Sequence, residues 1–353
     1  MRFKQAASAQ PAATSTAPSR RSFVKGASMT ALAGGLLPVL AACDDSSAAG
    51  GSGSGPQIKV LSTSYGNVIP WTTQGLAAQK FWAEKVNAKV TQLDPGADPA
   101  KQLSQLEDAL SQKWDVAVVN SIVQGGVTTA VQKLIDAGTI VVGYLSDVAL
   151  EDKPLDGLLT TVQGDSYQMG FDVTTALCKQ MNGQGTFIET QGQAGGANVI
   201  ARHNGCADAL KQFPDIELLK SDYGNFTTDK AQTLWESYVT KYPKIDGAFC
   251  HNEDMAFGAQ NALKAAGREK STLLAGVDGT IRGCQAVMDG ELFATVRHAA
   301  SEVYAWPVII GASKFRKTLD GDVPANVSVP SPVVDAARAP SIVFTQSASL
   351  NLQ

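Results

Sequence analysis

From residue 57 onward, short β-branched runs alternate with segments whose apolar residues recur at helical spacing. The runs at 58–62, 116–119 and 140–142 are apolar at nearly every position, as expected of strands covered on both faces of a parallel sheet. Between them Leu103, Leu106 and Leu110, then Val127, Val131, Leu134 and Ile135, each fall on one helix face, and Gly138 is placed to end the second helix. A second series repeats the rhythm, with strands predicted at 186–188, 245–249 and 273–277, and with Ala231, Leu234, Trp235, Tyr238 and Val239 marking one helix face. Residues 254–266 read as a small-residue helix closed by Gly267. Later, residues 294–297 are strand-like, 303–319 helical, and 321–324 turn toward a short extended tail. Strand and helix in alternation require crossover connections, so the pattern predicts an α/β chain of two doubly wound parallel-sheet lobes. The polar stretch 147–156 lies where the chain would leave the first sheet. The expected lobes are 57–163 plus 299–323 and 164–298 plus 324–353, joined by a multi-strand hinge that permits rigid-body closure.

The leading segment has a different character. Residues 26–42 are uncharged, but too short and too rich in Gly and Ala to span a membrane convincingly. Ser19-Arg20-Arg21-Ser22-Phe23-Val24-Lys25 resembles a twin-arginine export signal, and Leu40-Ala41-Ala42-Cys43 resembles the lipobox of bacterial lipoproteins. The resemblance implies that 1–42 are an export signal, that Cys43 carries lipid, and that 43–56 are a Gly/Ser tether. It places the protein in the periplasm, in membrane contact through that lipid; the alternative is an uncleaved helical anchor with an incidental cysteine.

Charge then narrows the partners. The whole chain is −4, but none of its 33 acidic and five of its 29 basic residues precede residue 43, leaving 24 basic against 33 acidic, or −9. Such a balance disfavours nucleic acid, whose binding rests on neutralising phosphates. Cys178, Cys206, Cys250 and Cys284 can pair in three ways or stay as buried thiols. No CxxC spacing supports a metal site, no cofactor is implied, and a monomer is expected.

In open α/β sheets ligands bind beyond the carboxyl ends of the strands. The residues just after the apolar runs are polar and aromatic: Ser64, Tyr65, Asn67 and Trp71, then Asn120, then Tyr144, Ser146 and Asp147. In the second series they are Gln191 and Gln193, His251-Asn252-Glu253, Asp278 and His298. Amides, a carboxylate, imidazoles and aromatic faces suit a neutral polyhydroxylated ligand, because each hydroxyl both donates and accepts while ring C–H faces pack on Trp or Tyr.

Phe249-Cys250-His251-Asn252-Glu253-Asp254-Met255-Ala256-Phe257-Gly258-Ala259 resembles the hallmark segment of ribose-type periplasmic sugar-binding proteins. Pro99-Ala100-Lys101-Gln102-Leu103, Arg202-His203-Asn204-Gly205, Gly276-Val277-Asp278-Gly279-Thr280, and Asp289-Gly290-Glu291-Leu292 with Ala294-Thr295-Val296 keep the family's order. The resemblance covers residues 56–335. It implies the type I periplasmic binding protein fold, a small-molecule sugar or polyol as ligand, and delivery to an ABC importer permease; some relatives report to a chemoreceptor. By the same resemblance Asn252 and Asp278 are ligands for sugar hydroxyls, His298 stands where the family has Gln, Trp71 and Phe226 stack on the sugar, and Asn120 adds a polar group. Tyr65, Asn67, Asp147 and Gln193 are secondary candidates.

The departures matter as much. Leu145-Ser146 stands where ribose-type members carry Asp-Arg, with Asp147 one step beyond. A second ligand arginine falls at Ile200, leaving Arg202, which in the family pattern is structural. The expected ligand is therefore not ribose held in the usual way, but a larger, deoxygenated or less polar polyol leaning on Tyr144 or Trp71.

Three other readings compete with this one. An exported carbohydrate enzyme would use Glu253-Asp254 and the histidines, yet the chain has no GxSxG, HExxH, P-loop or nucleotide GxGxxG. A transcription repressor of the related two-lobe class needs a helix-turn-helix head that residues 1–55 do not offer. A sugar sensor presenting its closed form to a membrane receptor reads the same surface as an importer does.

Overall fold

The computed structural model describes residues 55–146, 148 and 155–343; the paired arginines, Cys43 and Asp147 lie outside them. The first lobe runs β1 (Ile58–Thr63), α1 (Pro70–Lys85), β2 (Ala88–Leu93), α2 (Pro99–Ala109), β3 (Val116–Val119), α3 (Thr128–Asp136), β4 (Ile140–Tyr144) and β5 (Thr160–Gln163). The second runs α4 (Ser166–Gln180), β6 (Gln184–Gln191), α5 (Ala197–Leu210), β7 (Asp215–Tyr223), α6 (Thr228–Lys241), β8 (Gly247–Cys250), α7 (Glu253–Ala265), β9 (Leu273–Ala275), α8 (Ile281–Met288) and β10 (Thr295–Val296). The chain ends through α9 (Ala300–Phe315), β11 (Asn326–Ser328) and β12 (Val333–Val334).

Local chemistry starts these helices. Pro99 opens α2, and the Asp98 carboxylate accepts from the amides of Ala100 and Lys101, satisfying donors the helix cannot use. Gly138 follows α3 at φ 85°, the left-handed stop its position predicts.

The first sheet has strand order β11-β5-β4-β3-β1-β2 and the second β7-β6-β8-β9, all neighbours parallel, with β10 and β12 forming an antiparallel pair. Apolar layers cover both faces of each sheet. Val60, Val118 and Val142 meet α1 and α9, while Leu61, Val119 and Val141 on the opposite face meet α2 and α3. In the second sheet Ile188 and Ala248 pack with α6 and α7, and Phe187 and Phe249 with α4. Each such Val, Leu, Ile or Phe contributes about 1.5–3 kcal/mol on burial, so the strands that pattern alone revealed are those that carry the cores.

Three strands escaped the pattern. Edge strand β2 exposes Lys89, edge strand β7 is charged and interrupted by a register shift at Phe187/Ile188 of its neighbour, and β5 is only four residues of Thr, Val and Gln. An edge strand buries less apolar area and so needs less of it in sequence.

The chain leaves the first sheet after Gln163, returns with α9, and leaves again after Ser328. The last crossing corrects the expected break at 323/324. Asn326, Val327 and Ser328 pair in parallel with Thr161, Val162 and Gln163, so β11 belongs to the first lobe and only β12 returns to the second. All four cysteines in the described residues are buried free thiols, and burial pushes Cys250 up to about 12. No helix of the described residues is long and apolar enough to cross a membrane.

Candidate functional site

The carboxyl ends of both sheets face one cleft of about 530 Å³, its open mouth included. From the first lobe, Tyr65 follows β1, Trp71 and Thr72 open α1, Asn120 and Ser121 follow β3, and Leu145 follows β4. From the second, Gln193 follows β6, Asn198 and Arg202 lie on α5, Phe226 follows β7, Asn252 caps α7, and Asp278 and His298 follow β9 and β10.

The lobes are closed on one another across this cleft. The Gln124 amide donates to Gly195 O at 2.8 Å, Gln193 Nε2 donates to Ala97 O at 3.2 Å, and Tyr65 meets Phe226 edge-on at 5.8 Å. Burial there pushes the Tyr65 phenol up to about 12.

Trp71 does not present two free faces. Its indole stacks on the His298 imidazole at 4.7 Å, Nε1 donates to His298 O at 2.6 Å, and Tyr304 packs against it edge-on. Asn252 is also committed: its Oδ1 accepts from the Met255 amide as the α7 cap, and its Nδ2 donates to Phe226 O at 3.0 Å. That second bond fixes Phe226, held at φ 62° beside Asn225 at 53°. Asn120 Nδ2 donates to Ser146 Oγ at 2.9 Å, so this amide is braced from within its own lobe.

Asp278 sits at φ 144°. Its backbone is clamped on both sides, donating to Val296 O and accepting from the His298 amide, each at 2.9 Å. Burial, with the nearby Glu253 charge, holds the Asp278 carboxyl well above the usual range, against the pull of Arg202. Leu145, Asn225, Phe226 and Asp278 all occupy the positive-φ region around the cleft, where backbone strain characteristically marks ligand clamps.

Arg202 is 2% exposed and turns into this site. Its Nη1 donates to His251 O at 2.6 Å and its Nη2 to His298 Nδ1 at 3.2 Å. Close helix packing aims it: a Cβ on Gly170 of α4 would lie 2.2 Å from Arg202 O, and one on Gly205 of α5 2.1 Å from Tyr167 O. Only glycine lets the two helices approach this far. Burial lowers the guanidinium to about 10, with Asp278 opposing, so it stays charged at neutral pH.

The same bond assigns the His298 tautomer. Burial first, then Arg202 and Arg297, push its imidazole well below the ordinary value, so the ring is neutral. Nδ1 accepts from Arg202, which leaves the proton on Nε2. Among the described residues, His298 Nε2, Arg202 Nε and Gln193 Oε1 are buried polar atoms of lining residues without a hydrogen-bond partner. Behind them Glu189 accepts from His251 Nε2 at 2.9 Å and His203 Nδ1 at 2.7 Å, and from Ser221 Oγ. Burial opposes the Glu189 charge, but those bonds outweigh it and hold the carboxyl below its ordinary value. No group of His, Cys, Asp and Glu in the described residues is arranged to hold a metal ion.

Comparison with known proteins agrees with this architecture. The periplasmic binding protein domain profile matches residues 59–310. The chain belongs to that family. It is 27% identical to the xylitol-binding protein of Mycolicibacterium smegmatis, over 75% of this chain and 73% of that protein. It is 28% identical to the galactofuranose-binding protein YtfQ of Escherichia coli, over 75% and 83%. A crystal structure of a galactofuranose binding protein superposes with a TM-score of 0.76 at 25% identity, covering 82% of this chain and 99% of the other. The two-lobed, hinged parallel-sheet architecture is the type I periplasmic binding protein fold.

Within this binding protein, Tyr65, Trp71, Asn120 and Gln193 are brought to the cleft, as are Phe226, Asn252, Asp278 and His298. Tyr144 is not. It shares a strand face with Val142, its ring packs on Tyr304 at 5.0 Å, its hydroxyl donates to Thr63 O at 3.1 Å, and it is wholly buried in the first-lobe core. Asn67 does not line the cleft either: it is exposed, its side chain accepting from Thr73 Oγ1 and its backbone amide donating to Asp94. Arg202 is the residue that sequence reasoning undervalued. Ile200, the aligned alternative, points outward at 43% exposure. The signal was present in Arg202-His203-Asn204-Gly205, whose glycine permits the helix contact that turns the arginine inward.

Proposed function

We propose that the ligand is a neutral monosaccharide or polyol, held between Asp278 and Gln193 as acceptors and Arg202 and His298 as donors, with Phe226 and Tyr65 against its apolar face. The protein is an extracytoplasmic sugar- or polyol-binding protein associated with ABC transport, and its relatives in the comparisons are binding proteins, not enzymes. One observation carries the choice of ligand: unpartnered donors and acceptors of both kinds line a cleft in which the Arg202 charge faces the Asp278 carboxyl. Hydroxyls, each able to donate and to accept, can satisfy His298 Nε2, Arg202 Nε and Gln193 Oε1 together.

The curated relatives are named for xylitol, galactofuranose and ribose. Without the Asp-Arg pair at Leu145-Ser146, and with one arginine in place of two, a ribose-specific clamp is the weaker reading and a furanose or open-chain polyol the stronger. Micromolar capture requires about −8 kcal/mol, within reach of a ligand of about ten heavy atoms at a ceiling near −1.5 kcal/mol per atom. The proposal extends to twin-arginine export and lipid on Cys43, supported by residues 19–25 and 40–43. The closed lobes, read by an importer permease, complete the cycle, since a ligand bridging both halves favours closure by its differential affinity.

The test is a thermal-shift panel of D-ribose, L-arabinose, D-galactose, xylitol and myo-inositol, with mass spectrometry of any copurifying molecule. A stabilised transition with a neutral member supports the reading. A response only to charged solutes, or a guest recovered chemically altered, overturns it.

A further inference from the structure

Glu253 is a buried carboxylate beside the cleft that the binding reading leaves unused. It is 2% exposed and is not among the cleft-lining residues. Its Oε1 accepts from the Gly279 amide at 2.9 Å and Thr295 Oγ1 at 2.5 Å; its Oε2 accepts from the Thr280 amide at 3.2 Å and from Thr280 Oγ1. Its own amide donates to Val277 O at 2.9 Å. One side chain therefore ties both residues after Asp278 to the start of α7 and to β10. Thr280 Oγ1 in turn accepts from the Gly283 amide and caps α8. A Cβ on Gly283 would lie 2.0 Å from the carboxylate, so the glycine makes room for it.

We propose that Glu253 is a positioning residue for the binding site, holding the Asp278-Gly279-Thr280 turn so that Asp278 stays strained and faces the cleft. The inference rests on the reading of Asp278 as a ligand group. A non-glycine residue at φ 144° is kept there only where its surroundings over-determine it. The Val296 and His298 backbone bonds fix Asp278 itself, and Glu253 fixes the two residues that follow. A plain N-terminal helix charge needs none of this, since carboxylates favour first turns without gripping a neighbouring loop. An amide in this place has one acceptor oxygen, so Glu253→Gln leaves some of the four donors without an acceptor and turns its own NH2 against others.

The experiment has two arms. Isothermal titration with D-ribose, L-arabinose, xylitol and myo-inositol is run on the wild type, Glu253→Gln, Asp278→Asn and the double variant. Glu253→Gln should weaken every panel sugar the wild type binds by about 10–100-fold, as losing the orienting partner behind a liganding group does. Once Asp278 is Asn, the Glu253 change should add little, because it acts through that side chain. Wild-type affinity in Glu253→Gln, or additive losses, would overturn the proposal. The second arm is a ligand-free crystal structure of Glu253→Gln, expected to show Asp278 relaxed to negative φ or the Gly279–Thr280 turn displaced; an unmoved turn also overturns it. If the wild type binds none of the four sugars, the sugar reading is what fails, and this structure still decides the role of Glu253. Should Glu253→Gln not fold, Thr295→Val withdraws one donor at constant shape and is expected to move the same turn.

Discussion

Replacing Arg202 with Met separates two roles that a buried cation can have. Burial lowers its guanidinium to about 10 in the fold, which at about 1.4 kcal/mol per pH unit means that burying the charge costs about 3 kcal/mol at neutral pH. Methionine removes that penalty and fills much of the same volume. It also deletes the bonds to His251 O and His298 Nδ1, each worth about 1.5–3 kcal/mol from a charged donor. These opposing amounts nearly offset, so the variant should lose only roughly 0–3 kcal/mol of stability. Affinity has no such offset. The Nε donor is gone and His298 is no longer held in its Nε2–H form, which predicts roughly a 10–150-fold weaker complex. Urea unfolding and titration calorimetry on one preparation, with whichever panel sugar the wild type binds, read both quantities. Affinity within about threefold of wild type would make Arg202 a scaffold residue only. Loss of the folded state would show that the charge is a net support, refuting the balance drawn here.

Three further outcomes follow from the geometry. Tyr144→Phe removes a buried hydroxyl bonded to Thr63 O and should cost about 1 kcal/mol in urea unfolding, with no change in sugar affinity; a loss of affinity would return Tyr144 to the site. Burial raises Glu253 from 4.5 to about 7, against the four bonds it accepts, so the folded state binds the extra proton between those values. Its contribution to stability is greatest below 4.5 and falls by up to about 3 kcal/mol as pH rises to 7. The wild type should thus lose stability relative to Glu253→Gln across that window, and parallel pH profiles would refute the assignment. Finally, Cys43→Ala should release the protein from the membrane fraction, and continued attachment on fractionation would rule out a lipid on that thiol.

The alternation of buried strands with amphipathic helices was legible without a structure, because central strands must be apolar on both faces and leave no polar position to confuse the pattern. The strand tips were legible for the same reason: the polar residues that end each apolar run, from Tyr65 to His298, are where a parallel sheet collects its ligand groups. Edge strands β2 and β7 were not, since one open edge relaxes the demand for apolar residues. The tertiary structure alone decided the facing of individual side chains. Tyr144 ends a strand as the other candidates do, but it shares the Val142 face and packs against α9. Arg202 is turned inward by the glycines of α4 and α5, Trp71 is paired with His298, and the four cysteines of the described residues remain thiols. Which strand an extended tail joins is likewise settled by long-range pairing, and so β11 went to the first lobe. Periodicity is a property of neighbours along the chain, whereas these placements depend on which distant surface supplies the packing partner.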